Sequence, residues 1–326
     1  MQRKQHYIMN IRNMLAAIAS AAFLTCGIFA SAQETYSPTG TYKFAVKDGQ
    51  ELCLDHYAPA AGSETAIDGH AKPTVLFAFG GGFKGGERNE KGYQKWFKML
   101  NDEGYAVVSI DYRLGLKGVA IKKGLGQVRQ FRNAAQLAAE DLLSAVKYLL
   151  DNGKAFGVDA RNLVISGSSA GAIASLEADW LFCNGRSNEA FPEGFDFAGV
   201  MPFSGAIITM EGKPSYKKEP APTAFFHGTA DKVVNYKKIR LFGWGIFGSD
   251  ALVRIFKKNG YTYNIFRYEG HGHEIAESMT QTFPEQLRFL ETVVTRGVRR
   301  SIDSSIDDPE APRPSGSKNR KELYGK

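Results

Sequence analysis

The chain contains little cysteine, three residues in 326 at positions 26, 53 and 183. Cys26 falls in the N-terminal apolar run, so only Cys53 and Cys183 could pair in an oxidising compartment. Their spacing fits no metal site. A single disulfide and two buried free thiols both remain open. Outside residues 14–30 there is no apolar stretch long enough to cross a bilayer, and there is no internal repeat. Charge of one sign is also scarce. The formal net charge of +7 falls to +4 once Arg3, Lys4 and Arg12 are set aside. The basic residues Lys117, Lys122, Lys123, Arg129 and Arg132 cluster, but glycine and leucine separate them rather than aromatics. That pattern reads as a solvated loop and helix face and not as a nucleic-acid footprint.

What is present begins with a leader. Arg3, Lys4 and Arg12 precede the uncharged run 14–30, and Ala30-Ser31-Ala32 closes it. Basic, apolar and small-x-small segments in that order predict a secretory signal peptide over 1–32, cleaved before Gln33. The alternatives are an amphipathic helix, a retained anchor, for which the run is short, and a lipoprotein through Cys26, for which Thr25 is a poor preceding residue. The protein is therefore expected to be secreted or periplasmic. Residues 33–296 are expected to form one domain, because 43% hydrophobic composition supports one substantial core at this length. From 297 to 326 serine, aspartate, proline and lysine replace apolar periodicity, which predicts a disordered polar tail.

Within the domain, β-branched and aromatic runs alternate with helical periodicity, the pattern of an α/β fold with a mostly parallel sheet flanked by helices. Eight strands are predicted at 41–47, 51–57, 74–79, 106–111, 163–166, 198–203, 224–227 and 262–268. Helices are predicted at 93–100, 128–151, 170–181, 250–258 and 284–295. Leu137, Leu142, Val146, Leu149 and Leu150 give the long helix an apolar face, and Asn152-Gly153 supplies its stop signal.

Four loops at strand ends carry the chemistry. Gly167-Ser168-Ser169-Ala170-Gly171 places Gly-x-Ser-x-Gly between a strand and a helix. A nucleophile there sits on a sharp turn whose neighbours pass close, and the helix aims its first N–H groups at developing negative charge. Ser169 is the expected nucleophile, and the Ser168 side chain is expected to point away. Phe79-Gly80-Gly81-Gly82-Phe83 lets backbone N–H groups approach a substrate oxygen, so Gly81 and Gly82, with Ala170, are the expected oxyanion donors. Phe225-Phe226-His227-Gly228-Thr229-Ala230-Asp231 ends a strand with an acid, and Tyr268-Glu269-Gly270-His271-Gly272-His273-Glu274 ends another with two histidines. Ser169, Asp231 and a histidine thus follow one another along the chain, each at the end of its own strand, where they can converge above one sheet edge. His273 is the expected base and His271 the alternative.

These motifs resemble the α/β-hydrolase fold of the carboxylesterase and lipase kind, over nearly all of residues 41–295. Asp111-Tyr112-Arg113-Leu114, Glu140-Asp141 and Phe156-Gly157-Val158-Asp159 add scaffold matches. The chain departs from the hormone-sensitive-lipase type, which has histidine where Phe79 precedes the glycines. It is more similar to secreted bacterial esterases that release acetyl or feruloyl groups from plant polysaccharides. The Gly270-x-Gly272-His273-Glu274 pattern resembles that of related esterases in which the catalytic histidine follows the second glycine. The resemblance implies a serine carboxylic-ester hydrolase working through an acyl-enzyme, with no metal or cofactor required, on a small-molecule or polysaccharide-linked ester. A serine peptidase of the oligopeptidase kind and a non-catalytic binding protein on the same fold are the rival readings. Only modest insertions, at 115–127 and 207–222, interrupt the alternation, so a fairly open site suited to a small acyl group is expected. No nucleic acid and no stable membrane insertion is expected.

Overall fold

The computed structural model describes residues 36–307 apart from residue 242. The expected leader 1–32, Cys26 and residues 308–326 of the expected tail lie outside the described residues.

In chain order the elements are β1 Gly40–Lys47, β2 Gln50–Tyr57, β3 Ala66–Ile67, β4 His70–Ala71, β5 Thr74–Ala78, α1 Lys91–Asp102, β6 Val107–Ile110 and α2 Leu125–Asn152. There follow β7 Leu163–Ser168, α3 Ala170–Cys183, β8 Gly199–Phe203, β9 Ala206–Thr209, β10 Thr223–Gly228, β11 Lys238–Leu241 and β12 Trp244–Gly248. The chain closes with α4 Ser249–Asn259, β13 Tyr263–Tyr268, α5 Phe283–Arg288 and β14 Ile302–Ile306. Residues Phe289–Thr295 continue α5 as a wider π-type turn.

Nine strands form the main sheet in the order β1-β2-β6-β5-β7-β8-β10-β13-β14. β1, β2 and β6 pair antiparallel, and every later neighbour is parallel. This is the α/β-hydrolase architecture. Strands β5, β7, β8 and β10 are buried at every position, which is why they read as continuous apolar runs rather than alternating ones.

Alternation reappears in where neighbouring side chains go. On β10, Phe226 stacks on Phe203, which meets Trp96 of α1, whereas Phe225 meets Phe256 of α4. Successive residues therefore serve opposite faces, and helices cover both. Trp96 also donates to Gln286 of α5 at 2.7 Å, joining two helices far apart in sequence.

All eight predicted strands lie in this sheet, and β14 is a ninth. Residues 302–306, expected to be disordered, instead lie parallel to β13, with Ile302 opposite Asn264 and Ile306 opposite Tyr268. An edge strand needs backbone partners more than an apolar face. Here Glu269 N–H donates to Ile306 at 2.9 Å, and Arg267 grips the Asp303 carboxylate at 2.9 and 3.1 Å. Polar composition concealed a segment held by its main chain and one ion pair.

A second, three-stranded antiparallel sheet was not predicted. It has the order β11-β12-β9 and stands above the carboxyl ends of the main strands, where β9 leaves β8.

Candidate active site

The sequence runs from β5 to β6 on one side and returns through β7 on the other, so β5 and β7 flank a topological switch point. Loops leaving their carboxyl ends in opposite directions open a crevice there. Ser169 stands at that edge. Its backbone has φ 49° and ψ −109°, between the last residue of β7 and the first of α3. A non-glycine residue rarely occupies positive φ, and this one is held by Ser169 N–H donating to Phe203 O at 2.9 Å. The flanking glycines are required by packing. A Cβ on Gly167 would lie 2.3 Å from the Gly171 carbonyl, and one on Gly171 would lie 2.0 Å from Ala78 O.

The predicted acid and base meet the serine in one line. Ser169 Oγ is 2.8 Å from His273 Nε2, and His273 Nδ1 is 2.8 Å from Asp231 Oδ2. Asp231 is buried. Its Oδ1 accepts N–H groups from Val233 at 2.8 Å and Val234 at 3.1 Å. Close passage is again secured by glycine, since a Cβ on Gly228 would lie 2.4 Å from the carbonyl oxygens of His271 and Gly272. The structure thus brings Ser169, Asp231 and His273 together.

His271 sits apart from that line. Its ring lies edge-on to Tyr268, and its Nδ1 is 3.3 Å from Glu274 Oε1. His227 is a contact the sequence did not single out. Fully buried, it places Nε2 3.3 Å from Asp231 Oδ2 and 3.0 Å from Val234 O, while Nδ1 lies 2.8 Å from Ser249 Oγ. The signal was in the His227-Gly228-x-x-Asp231 spacing.

Electrostatics follow from these contacts. Burial works against ionised Asp231, but the adjacent His273 and His227 outweigh it and hold its carboxyl below the ordinary carboxylate range. Burial likewise disfavours a charged His273. The charge and hydrogen bond of Asp231 overcome this and raise the imidazole above its usual 6.5.

The glycine loop closes the other side. Tyr112 stacks on Phe79 with ring centroids 4.3 Å apart and donates to Phe79 O at 2.8 Å, which fixes the residue entering the loop. Gly81 has φ +118°, and its carbonyl accepts from Lys84 and Gly85. Among the described residues the N–H groups of Gly81, Gly82 and Ala170 donate to no protein acceptor, so they are open to a ligand.

Ser168 does not point idly away. Its hydroxyl donates to Ala276 O at 2.8 Å, tying the end of β7 to the turn His273–Glu277 that carries the base. Tyr93 reaches the same hydroxyl and accepts the Gly80 N–H at 3.1 Å. One small network therefore touches the nucleophile strand, the glycine loop and the histidine turn.

The fairly open site expected from the short insertions has walls. A cavity of about 620 Å³ adjoins Ser169 and His273. Its apolar wall includes Leu116, Val119 and Phe131 from the 115–132 region, and Ile208 and Ile246 from the small sheet. Short segments enclose it because they stack as β9 and β12 and as the approach to α2. Elsewhere, Cys53 and Cys183 are free thiols. Among the described residues no group of three or more His, Cys, Asp or Glu side chains could hold a metal ion, and no helix is long and apolar enough to cross a membrane.

Residues 54–179 match the BD-FAE family model. A fumonisin B1 esterase of Sphingopyxis macrogoltabida is 30% identical over 102 residues, 31% of this chain and 18% of that protein. An ethyl acetate hydrolase of Pseudomonas putida is 28% identical over 136 residues, 41% of this chain and 36% of that one. The chain thus matches well under two thirds of the length of these relatives. Among solved structures, esterase B from Lactobacillus rhamnosis superposes with a TM-score of 0.54 at 17% identity, covering 91% of this chain and 98% of that one. Thermogutta terrifontis esterase 2 phosphoramylated by tabun superposes with 0.51 at 18% identity, over 80% and 98%. At these identities the superpositions speak to the fold.

Proposed function

We propose that the protein is a serine carboxylic-ester hydrolase that works through an acyl-enzyme. The observation that carries this reading is the unbroken chain from Ser169 Oγ through His273 to the Asp231 carboxylate, beside three uncommitted N–H groups. In the first step Ser169 Oγ bonds to the ester carbonyl carbon as its proton passes to His273 Nε2. The oxyanion is received by the N–H groups of Gly81, Gly82 and Ala170. Collapse breaks the bond to the alcohol, which leaves with the proton from His273. Water then repeats the sequence on the acyl-enzyme and releases the acid. Asp231 keeps the proton of neutral His273 on Nδ1 and stabilises the imidazolium during each transfer. The relatives named as esterases, and one fold neighbour modified by an organophosphate, support the same chemistry.

The acyl group is proposed to be acetyl or feruloyl on a carbohydrate alcohol. A cavity of about 620 Å³ with Phe131 in its wall exceeds what acetyl fills and favours the aromatic end of that range. The order of the first 32 residues supports export, with a mature terminus at Gln33 that intact-mass measurement would read. The test is fluorophosphonate labelling followed by p-nitrophenyl acetate, p-nitrophenyl butyrate, methyl ferulate and acetylated xylan as substrates. One adduct at Ser169, and ester turnover lost in Ser169→Ala, are expected. Absence of an adduct would favour a binding protein, and turnover of peptides in preference to every ester would favour the peptidase.

A further inference from the structure

We infer that the outer face of the pocket wall, residues 117–129, docks on the surface of an anionic lipid aggregate. Between Asp111 and Glu140 the chain has no acidic residue. Lys117, Lys122, Lys123 and Arg129 are exposed there, and among the described residues none takes part in an ion pair. The same stretch holds two of the four large apolar side chains that are exposed among the described residues, Val119 at 43% and Leu125 at 50%. Cations flanking protruding aliphatic side chains match the chemistry of a lipid surface, where the charges meet headgroups and the apolar tips enter the boundary beneath them.

The composition separates this occupant from other polyanions. A nucleic acid or an acidic polysaccharide would use the four cations but offers little to two aliphatic tips. The aromatic of the region, Phe131, is buried and unavailable for stacking on bases or sugars. Location gives the surface its purpose. Val119 is both exposed and part of the pocket wall, and Lys84, half-buried, lines the same cavity. A surface docked here faces the pocket mouth, so an apolar acyl group could pass from it towards Ser169. That last point rests on the proposed ester-hydrolase reading, whereas the docking does not.

A cation near an anionic headgroup layer raises affinity about fivefold, so four give several hundredfold at low salt, falling steeply as salt screens them. The test is co-sedimentation of the full chain with phosphatidylcholine vesicles and with vesicles of equal parts phosphatidylcholine and phosphatidylglycerol, alongside p-nitrophenyl acetate hydrolysis. Binding to the anionic vesicles alone is expected. The double variant Lys122→Glu/Lys123→Glu should weaken it at least about tenfold. Leu125→Ser should weaken it severalfold, and both variants should hydrolyse p-nitrophenyl acetate like the parent. Equal binding to both vesicles, or none, overturns the inference. So does a Leu125→Ser variant that binds undiminished, which would make the face a general polyanion site. Vesicle binding without any ester turnover would instead leave the docking intact and remove the catalytic reading.

Discussion

The floor of the site and its wall are built by different rules. The floor comprises the Gly80–Gly86 loop, the Ser169 turn, Asp231 and the His273 turn, all at the carboxyl ends of parallel strands in which only Arg267 of β13 is not buried. Its positions are over-determined. Glycines at 167, 171 and 228 are required by atoms less than 3 Å from where a side chain would begin, and Ser169 is held at positive φ by hydrogen bonds on both sides. The wall is assembled from the 115–132 region and from short strands of a separate small sheet, which line the cavity with aliphatic side chains and Phe131. The contrast teaches that the chemistry is fixed by the sheet, whereas selectivity is delegated to pieces that can change without disturbing it.

The largest effects should come from the floor. Ser169→Ala removes the nucleophile without opening a large cavity, and loss of ester turnover by a factor on the order of 10⁴ to 10⁶ is expected with the melting temperature retained. A variant keeping a tenth of the parent rate would break the assignment. His273→Ala should lose about 10³ or more in kcat, whereas His271→Ala, away from the line to Ser169, should alter mainly KM. The reverse outcome would transfer the base to His271.

The floor also dictates the pH profile. Catalysis needs neutral His273, and the folded protein holds that imidazole above 6.5, so kcat/KM should rise with pH along a limb centred above 6.5. In Asp231→Asn the effect of burial is opposed only by the lesser charges of Glu277 and Glu274. The limb should then move below its parent position while the plateau falls by a factor on the order of 10⁴. A pH–rate profile on p-nitrophenyl acetate reads both, and an unmoved limb would separate His273 from the observed ionisation.

Ser168 lies within the floor, where its side chain is not the outward-pointing one expected from the sequence. Because its hydroxyl ties β7 to Ala276 in the histidine turn, Ser168→Ala should lower kcat severalfold with KM little changed, and Ser168→Thr should recover part of the loss. On the wall, Ile246→Ala and Phe131→Ala should shift acyl-chain preference by about tenfold in kcat/KM, the scale of one or two methylene contacts. They should leave the acid limb of the pH profile in place. A moved limb would mean that wall and floor are not separable.

What could be read from the sequence follows the same division. Ser169, Asp231 and the two histidines were legible because their motifs are local and each ends an apolar strand. Choosing His273 depended on a two-glycine pattern, and the structure brings that residue to the serine. The wall was illegible because β9, β11 and β12 are four or five residues each with no periodicity to announce them, and the hairpin of β11 and β12 joins β9 only across more than 30 residues. The edge strand Ile302–Ile306 was missed for the opposite reason, since its stabilising partners, Arg267 and the backbone of β13, are invisible in its own composition. His227 was not legible as a site residue, because its burial against Ser249 is a tertiary fact.

The smallest effect lies in the carboxyl that joins the two regions from below. Glu177 on α3, the helix that begins beside Ser169, is fully buried and accepts the Ile208 N–H of β9 at 2.7 Å. Burial pushes its pKa up from 4.5 to about 7, with the Ile208 N–H and the nearby charge of Arg132 offsetting part of the effect. The folded chain therefore holds this proton more tightly than the unfolded chain does. The group is without penalty below pH 4.5, loses stability as pH rises from 4.5 to 7, and carries its full penalty above 7, on the order of 3 kcal/mol. Glu177→Gln keeps an acceptor for Ile208 and removes the ionisation, at the cost of an amide N–H₂ that burial leaves short of partners. The net gain should be about 1–2 kcal/mol above pH 7, a rise of roughly 2–6 °C in melting temperature, turning into a small loss towards pH 4.5, where only the cost of the buried amide remains. Ester turnover should be unchanged, because Ile208 stays in place. Thermal melts at pH 5 and pH 8 decide it. A gain that is equal at both would show that the benefit is not ionisation, and a loss of acyl preference along with the gain would show that the charge itself positions β9.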